Sequence, residues 1–429
     1  MISYPSFSAS KYISSFIYLY FQKKIREINY FSQHIHMAKL IISCIIVLFF
    51  SVLFLFVELS NAATTYNVLS FGAVPNEQTD ATQSFLNAWR AACSSVEATT
   101  IYVPKGRYLV GAATFRGPCK NRITVRIDGT LVAPSDYWVI GNSGYWLLFI
   151  QVNGISVIGG NLDAKGAAFW ACRNSNNNCP VGARSITFNW ANDVVVSGLL
   201  SINSQLTHLV INSCNNVMVR NVRIIAPDQS PNTDGIHVQS STGVTITGSR
   251  IKTGDDCISI GPGTRNLWME KILCGPGHGV SIGSLGRNYE EDGVQNVTLT
   301  YSIFTGSDNG LRIKSWARPS TSFVKNIYYR NIVMKYVDNP IIIDQNYCPN
   351  GQDCPGQTSG VKISQVTYKN IEGTSTTEVA MKFDCSPSNP CEGIQIQDIK
   401  LTHMNKKAKS FCKNVQGIKK GVILPDSCI

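Results

Sequence analysis

Charge is scarce in this chain: only 15% of its 429 residues are Asp, Glu, Lys or Arg, whereas 44% are apolar. That excludes a disordered protein, which combines few apolar residues with high charge. Long apolar runs are scarce too. One run, Leu40–Val57, nears membrane-spanning length, and mean hydropathy is +0.01, so the bulk is not a polytopic membrane protein. Arginine-rich runs and basic–aromatic interleaving are missing, so there is no nucleic-acid signature. Cysteine is plentiful at 14, but no pair has the CxxC spacing of a zinc site, and no metal or cofactor is expected. Beyond residue 150 no repeat unit carries ten residues of helical periodicity, and the Leu-x-x-Leu-x-Leu phrasing of leucine-rich repeats is missing.

The N-terminus reads as a targeting segment rather than as fold. Lys39, with Lys23, Lys24 and Arg26 upstream, precedes the apolar run, and Ser60-Asn61-Ala62 supplies small residues at signal-peptidase spacing. Residues 1–62 are therefore expected to be an upstream extension plus signal peptide, cut after Ala62, with Met37 as a second possible start. A retained signal anchor is the alternative. Cleavage removes five Lys/Arg and two Asp/Glu, which leaves 33 against 25, a charge of +8. Such a balance in an exported protein favours an acidic partner, and an acidic polysaccharide suits that compartment. Export also makes disulfides the expected state of the cysteines. The close pairs are Cys93/Cys119, Cys172/Cys179, Cys257/Cys274, Cys348/Cys354, Cys385/Cys391 and Cys412/Cys428, with Cys214 left as a buried thiol. Asn296-Val297-Thr298 is the one usable N-glycosylation sequon.

From about residue 150 a short phrase recurs: a polar residue or Gly, alternating apolar positions, then a second short strand. Its first apolar positions are Ile155, Val194, Val217, Val244, Leu267, Val297, Ile327, Val366 and Ile394, spaced 23 to 39 apart. Units this short must stack to bury a face. Short period-two strands with Asn and Gly at the corners predict an all-β fold, a right-handed parallel β-helix (solenoid), formed by 63–429 as a single catalytic domain. The exception is Asp80–Cys93, a short N-terminal capping helix with Asp80 as N-cap and Phe85, Ala88, Trp89 and Ala92 on its apolar side. The disulfide-rich tail, Cys385–Cys428, is expected to cover the other end.

Four segments align through the repeat: Thr233–Val238, Asp255–Ile260, Gly277–Ile282 and Asn309–Lys314. Ile236, Ile258, Val280 and Leu311 share one inward column, and Val238, Ile260, Ile282 and Ile313 the next. The outward column between them reads His237, Ser259, Ser281, Arg312. Coils stack at about 4.8 Å, so Asp234, Asp255, Asp256, His278, Arg312 and Lys314 converge on one side. A single Asp at a coil corner is ordinarily a turn residue, but three in register with a His and two cations are not. Clustered carboxyls drive one another's pKa apart, so one can hold a proton while others stay ionised. Two of them with a water form the inverting glycosidase arrangement. Arg312 and Lys314 are placed to hold a sugar carboxylate.

These segments carry a resemblance. Asn232-Thr233-Asp234, Gly254-Asp255-Asp256-Cys257, Cys274-Gly275-Pro276-Gly277-His278-Gly279 and Arg312-Ile313-Lys314 resemble, in order and spacing, the signature set of the plant-type polygalacturonases, pectin-hydrolysing glycoside hydrolases. Tyr66–Ala73 through Trp89 is similar too, although the usual Asp-Gly is here Asn76-Glu77, a change expected to be harmless. The resemblance covers nearly all of 63–429. It implies that Asp255 is the general acid, that Asp234 with Asp256 activates water, and that His278 supports the acid. It also implies that Arg312 and Lys314 bind the galacturonate carboxylate, with Tyr347 and Asn232 lining the same subsite. The implied protein is a secreted, extracellular, monomeric cell-wall enzyme with no stable membrane association after signal cleavage, acting on homogalacturonan. The row alignment alone does not say which Asp is the acid.

Other readings stay open on sequence grounds. A pectate lyase on the same scaffold would rely on calcium and a basic Arg or Lys; the Asp pair and Gly-His-Gly speak against it. A non-catalytic wall-binding β-helix would be expected to lack one of the three Asp. A rhamnogalacturonan or xylogalacturonan hydrolase is disfavoured by Asn232-Thr233-Asp234 and Arg312-Ile313-Lys314. Short insertions at Phe169–Pro180 and Tyr347–Gly360 favour endo over exo attack.

Overall fold

The structure, a computed structural model, describes residues 10–56, 64–175, 178–351 and 354–429. It divides into two units, Met1–Ala62 and Ala63–Ile429. In the first, helix α1 (Ser10–Phe56) runs for 47 residues and starts far upstream of the apolar run. Within it Ile17–Phe49, with a hydropathy of 1.5, is long and apolar enough to cross a membrane, a test that a signal sequence also passes. The expected cut after Ala62 lies outside the described residues.

The second unit is the expected parallel β-helix. Val194, Val217, Val244, Leu267, Val297, Ile327 and Val366 sit side by side on successive parallel strands, and none is more than 2% exposed. Each such side chain gains about 1.5–3 kcal/mol from burial, but only because the next coil covers it. The polar residue that opens each phrase has a backbone reason. Asp193, Asn216, Gly243, Asn266, Asn296, Asn326 and Gln365 turn the chain with φ between 53° and 64°, a region that Asn, Asp and Gly enter most readily. Their amides also ladder: Asn296 Nδ2 donates to Asn266 Oδ1 at 3.0 Å, and Asn326 Nδ2 to Asn296 Oδ1 at 3.1 Å.

Helix α2 (Thr82–Ser94) buries Phe85, Ala88, Trp89 and Ala92 against the first coils. Its start is one residue later than expected. Ala81 occupies the cap position, while the Asp80 carboxylate accepts from Thr82 N at 2.8 Å. Two short helices escaped the periodicity: α3 (Tyr137–Gly141), capped by Asp136, and α4 (Ala167–Asn174). Five and eight residues are too few for a helical pattern to show in the sequence. Glu77, expected to be a neutral surface change, pairs with Arg107 and with Lys165 Nζ, the latter at 2.6 Å. The Arg107 hydrogen bond leads in holding its carboxyl down to about 2.

The C-terminal tail differs from expectation in kind. Val415–Leu424 does not lie across the end but adds one more strand, parallel to Cys391–His403. Ile418, Val422 and Leu424 are left about half exposed, and Lys419 and Lys420 punctuate this edge, as charges do where further pairing must be discouraged. All six expected disulfides form. Cys214 is a buried thiol, pushed up to about 11 by burial.

One sheet of eleven strands carries the polar face. Six of its consecutive members matter here: β1 (Leu209–Asn212), β2 (Ile236–Gln239), β3 (Ile258–Ile260), β4 (Val280–Leu285), β5 (Asn309–Trp316) and β6 (Asn339–Tyr347). Their register is the one read from the sequence. Leu209, Ile236, Ile258, Val280, Leu311 and Ile341 pair in one column, and His237, Ser259, Ser281 and Arg312 in the outward one.

Candidate active site

Asp234 occupies the corner just before β2, Asp255 and Asp256 the corner before β3, and His278 the corner before β4. The corners are tight, which explains their glycines. A Cβ on Gly235 would come 2.5 Å from Cys257 O, and one on Gly279, at φ +89°, would come 2.1 Å from Asn309 O. Glycine there lets successive corners stack closely enough to bring their side chains together.

Asp256 is the fixed point. It is 2% exposed and accepts from Ser281 Oγ at 2.7 Å, Arg312 Nη2 at 2.6 Å and Lys314 Nζ at 2.8 Å. Burial works to raise its pKa, but the charges of Lys314 and Arg312 outweigh burial and hold the carboxyl far below the ordinary range. Arg312 Nε also donates to Ser281 Oγ at 2.8 Å. The two cations expected at this face are already engaged by a carboxylate. Their side chains are only 13% and 8% exposed, and both are paired with Asp256.

Asp255 faces the cleft. Its Oδ1 receives Asp256 N at 2.8 Å and meets His278 Nδ1 at 3.0 Å, and Asn232 Nδ2 reaches Oδ2 at 3.4 Å. The Asp255 hydrogen bond raises the pKa of His278. His278 Nε2 lies 3.4 Å from Asp308 Oδ2, so the imidazole bridges two carboxylates. Asp308 was not among the sequence candidates. It stands one place outside the row that was aligned, and only the bridge of Gly277 to Ser307 brings it alongside.

Asp234 behaves differently. Burial, then the neighbouring Asp255 and Asp256, push its carboxyl up to about 7, against a hydrogen bond from Ser259 and the charge of Lys314. The row expected to separate carboxyl pKa values therefore does so, with Asp234 raised and Asp256 lowered. Tyr347, at the end of β6, brackets the far side: its ring lies 5.2 Å from Lys314 Nζ and 5.4 Å from the Trp316 ring. All eight candidate residues are thus drawn to one stretch of one face. Asp255, Asp256 and His278 bring possible ligand atoms within 4.8 Å of one another, but the Asp256 oxygens already serve Ser281 and two cations.

Upstream of Asp234 the same face hollows into a groove of about 460 Å³, lined by Tyr145, Arg184, Thr187, Asn212, His237 and Gln239 among others. Exposed Arg184 adds a third cation to the cleft, unflagged in sequence because its motif carries no second charge.

Carboxyls pushed apart in pKa on one solenoid face, beside a groove, suit a glycoside hydrolase. The profile of Glycosyl hydrolases family 28 matches residues 93–424, and this chain is a member of that family. It is 55% identical over 386 residues to a polygalacturonase of Prunus persica, covering 89% of this chain and 98% of that protein. It is 38% identical over 371 residues to an exopolygalacturonase of Platanus acerifolia, covering 85% and 98%. Among solved structures, the fold matches the endo-xylogalacturonan hydrolase of Aspergillus tubingensis with a TM-score of 0.72 at 22% identity, over 85% of this chain and 100% of that one.

Proposed function

We propose that this enzyme is a secreted polygalacturonase that hydrolyses α-1,4-galacturonosyl linkages of de-esterified homogalacturonan in the cell wall. It attacks internal bonds, acts as a monomer and inverts the anomeric centre. The observation that carries this reading is the pairing of Arg312 and Lys314 with Asp256 inside a row of three carboxyls, since cations set among the acids suit an anionic substrate. The names of the relatives agree with it. Apolar α1 and the six disulfides support export, with residues 1–62 removed as signal and extension and 63–429 as the mature catalytic domain.

In this mechanism Asp255, oriented by His278 and Asn232, gives its proton to the glycosidic oxygen as that bond breaks. A water held by Asp234 and Asp256 attacks the anomeric carbon from the opposite side, and Asp234 takes the water's proton. One water is consumed, one bond is cut, and the transferred protons balance. A raised pKa makes Asp234 a strong base wherever it is ionised. Arg312 and Lys314 hold the sugar carboxylate at the scissile site, with Tyr347 against the ring. The groove that continues upstream of Asp234 supports endo action.

The test is NMR of the first product from polygalacturonate, with product lengths followed over time. A β reducing-end anomer and a spread of oligomers are expected. An initial α anomer would sink the water-attack mechanism, and monomer alone would sink endo action.

A further inference from the structure

The positive charge of the protein is not spread evenly along it. Residues 400–429 hold seven Lys and one Asp, which leaves 26 Lys/Arg against 24 Asp/Glu over 63–399. Most of the +8 therefore belongs to the last coils rather than to the cleft. All seven lysines are exposed. Three have an acid at hand: Lys409 Nζ pairs with Glu378 at 2.7 Å, and Lys400 and Lys413 stand opposite Glu372 and Asp384 on neighbouring strands. The other four do not. Lys406 and Lys407 stand opposite His403 and Thr402, and Lys419 and Lys420 opposite Ile396 and Gln397. None of these four forms an ion pair among the described residues.

The four share one place. The strands that carry them, Lys406–Lys407 and Val415–Leu424, both lie against the free side of Cys391–His403, because Lys362–Ser375 occupies its other side. Their partners run from Ile396 to His403, so the charges line about 23 Å of that edge. Charge on Val415–Leu424 deters a further strand, but Lys406 and Lys407 belong to a separate strand. A line of unpaired like charges repels itself, and a polyanion relieves that repulsion.

We propose that this end of the solenoid is a second contact for a carboxylated polysaccharide: it holds a stretch of de-esterified homogalacturonan that is not being cut, and so keeps the enzyme on its polymer. The choice of polyanion rests on the substrate proposed above. That polymer carries one carboxylate per sugar, a line of charge to match the line of lysines. Position agrees. The sheet of the cleft ends on Lys409–Lys413, three coils beyond Arg312, about 14 Å along the axis. Lys382 stands between them in the outward column, opposite Phe411, with its Nζ 6.0 Å from the centre of that ring. One polymer thus reaches both contacts, and the second raises the effective concentration at the first. A trimer in the cleft does not reach the lysines.

The experiment compares the full secreted enzyme with a variant carrying Lys406→Gln, Lys407→Gln, Lys419→Gln and Lys420→Gln together. Binding to immobilised polygalacturonate is read at low and high salt, in an Asp255→Asn background so that the polymer is not cut. The four changes should weaken binding about tenfold or more at low salt, the scale of four exposed ion pairs, and the difference should vanish at high salt. With Asp255 intact, KM on long polygalacturonate should rise several-fold while kcat/KM on trigalacturonate stays unchanged. A control variant changes Lys105, Lys120, Lys271 and Lys335, four exposed lysines of earlier coils, to Gln; it should bind the polymer as the wild type does. Unchanged polymer binding in the first variant would overturn the proposal. So would an equal loss in the control, which would make net charge the cause, or an equal loss on fully methyl-esterified pectin. A matching loss on trigalacturonate would place the effect in the cleft or the fold, and tighter, lysine-dependent binding to phosphatidylserine vesicles would make a lipid surface the occupant. The binding arm needs no turnover: a wild type that does not cut polygalacturonate but loses its grip on it with the four lysines would sink the proposed function and leave this contact standing.

Discussion

Lys314→Met removes one of three protein partners from a nearly fully buried carboxylate. Asp256 is 2% exposed and Lys314 Nζ is 2.8 Å from its Oδ2. Stripping a buried ion of its partner costs about 3–5 kcal/mol when nothing else supports it. Here Arg312 and Ser281 remain, at 2.6 and 2.7 Å, and methionine refills most of the volume. The expected loss of stability at pH 7 is therefore nearer 2–3 kcal/mol. The sign with pH follows from Asp256, whose folded pKa is depressed. A depressed carboxyl contributes stability that is present above the unfolded pKa, about 3.9, and is lost as pH falls through the folded value. Without Lys314 the depression shrinks, so the gap between wild type and variant should be full at neutral pH and close as pH falls through the variant's own folded value, which lies between that of the wild type and about 3.9. Urea midpoints and slopes at pH 7 and at the lowest pH where both proteins still fold measure it. A gap below about 0.5 kcal/mol at pH 7, the scale of an exposed pair, or one that does not narrow with acid, would refute the claim that the pair is buried and charged. On polygalacturonate the same change should cost about 2–4 kcal/mol of transition-state stabilisation, read from kcat/KM.

Asp255→Asn should lower kcat by about 10²-fold or more with KM little changed, the scale of a lost general acid; steady-state kinetics decides, and near-normal kcat would remove Asp255 from that role. Protein recovered from the medium of a eukaryotic host should begin near Ala63 and carry a glycan on Asn296. N-terminal sequencing and intact mass read both, and purified protein that retains 40–57 in a membrane would contradict export.

The register of the cleft was legible because a β-helix repeats its physics with every coil. The same alternation that buries Ile236, Ile258, Val280 and Leu311 sends His237, Ser259, Ser281 and Arg312 outward. Covalent pairing was legible for a related reason, since nearly all the bridged cysteines close short loops. What the repeat does not encode is where a long side chain ends. Register places Lys314 and Arg312 beside the acids, but that both turn onto Asp256 is a matter of tertiary packing. Asp308 was missed because corners vary in length, and the 31-residue step from Val280 to Leu311 shifts it beside His278. The C-terminal tail misled because disulfides mark a rigid segment without saying whether it lies across the last coil or extends it.

Cleft and fold draw on the same rung spacing, and the demands they place on it conflict. Stacking at about 4.8 Å suits apolar columns, but at the corners it forces Asp234, Asp255 and Asp256 together, where like charges repel. Lys314 and Arg312 reverse that effect at Asp256, and the protonation of Asp234 relieves the rest. The separation of two carboxyls that began as the same residue type thus comes from neighbours one and two coils away, not from the acids themselves. A change that leaves all three Asp in place but alters the rung above them, such as Gly279→Ala with its 2.1 Å approach to Asn309 O, acts on the chemistry by moving those neighbours.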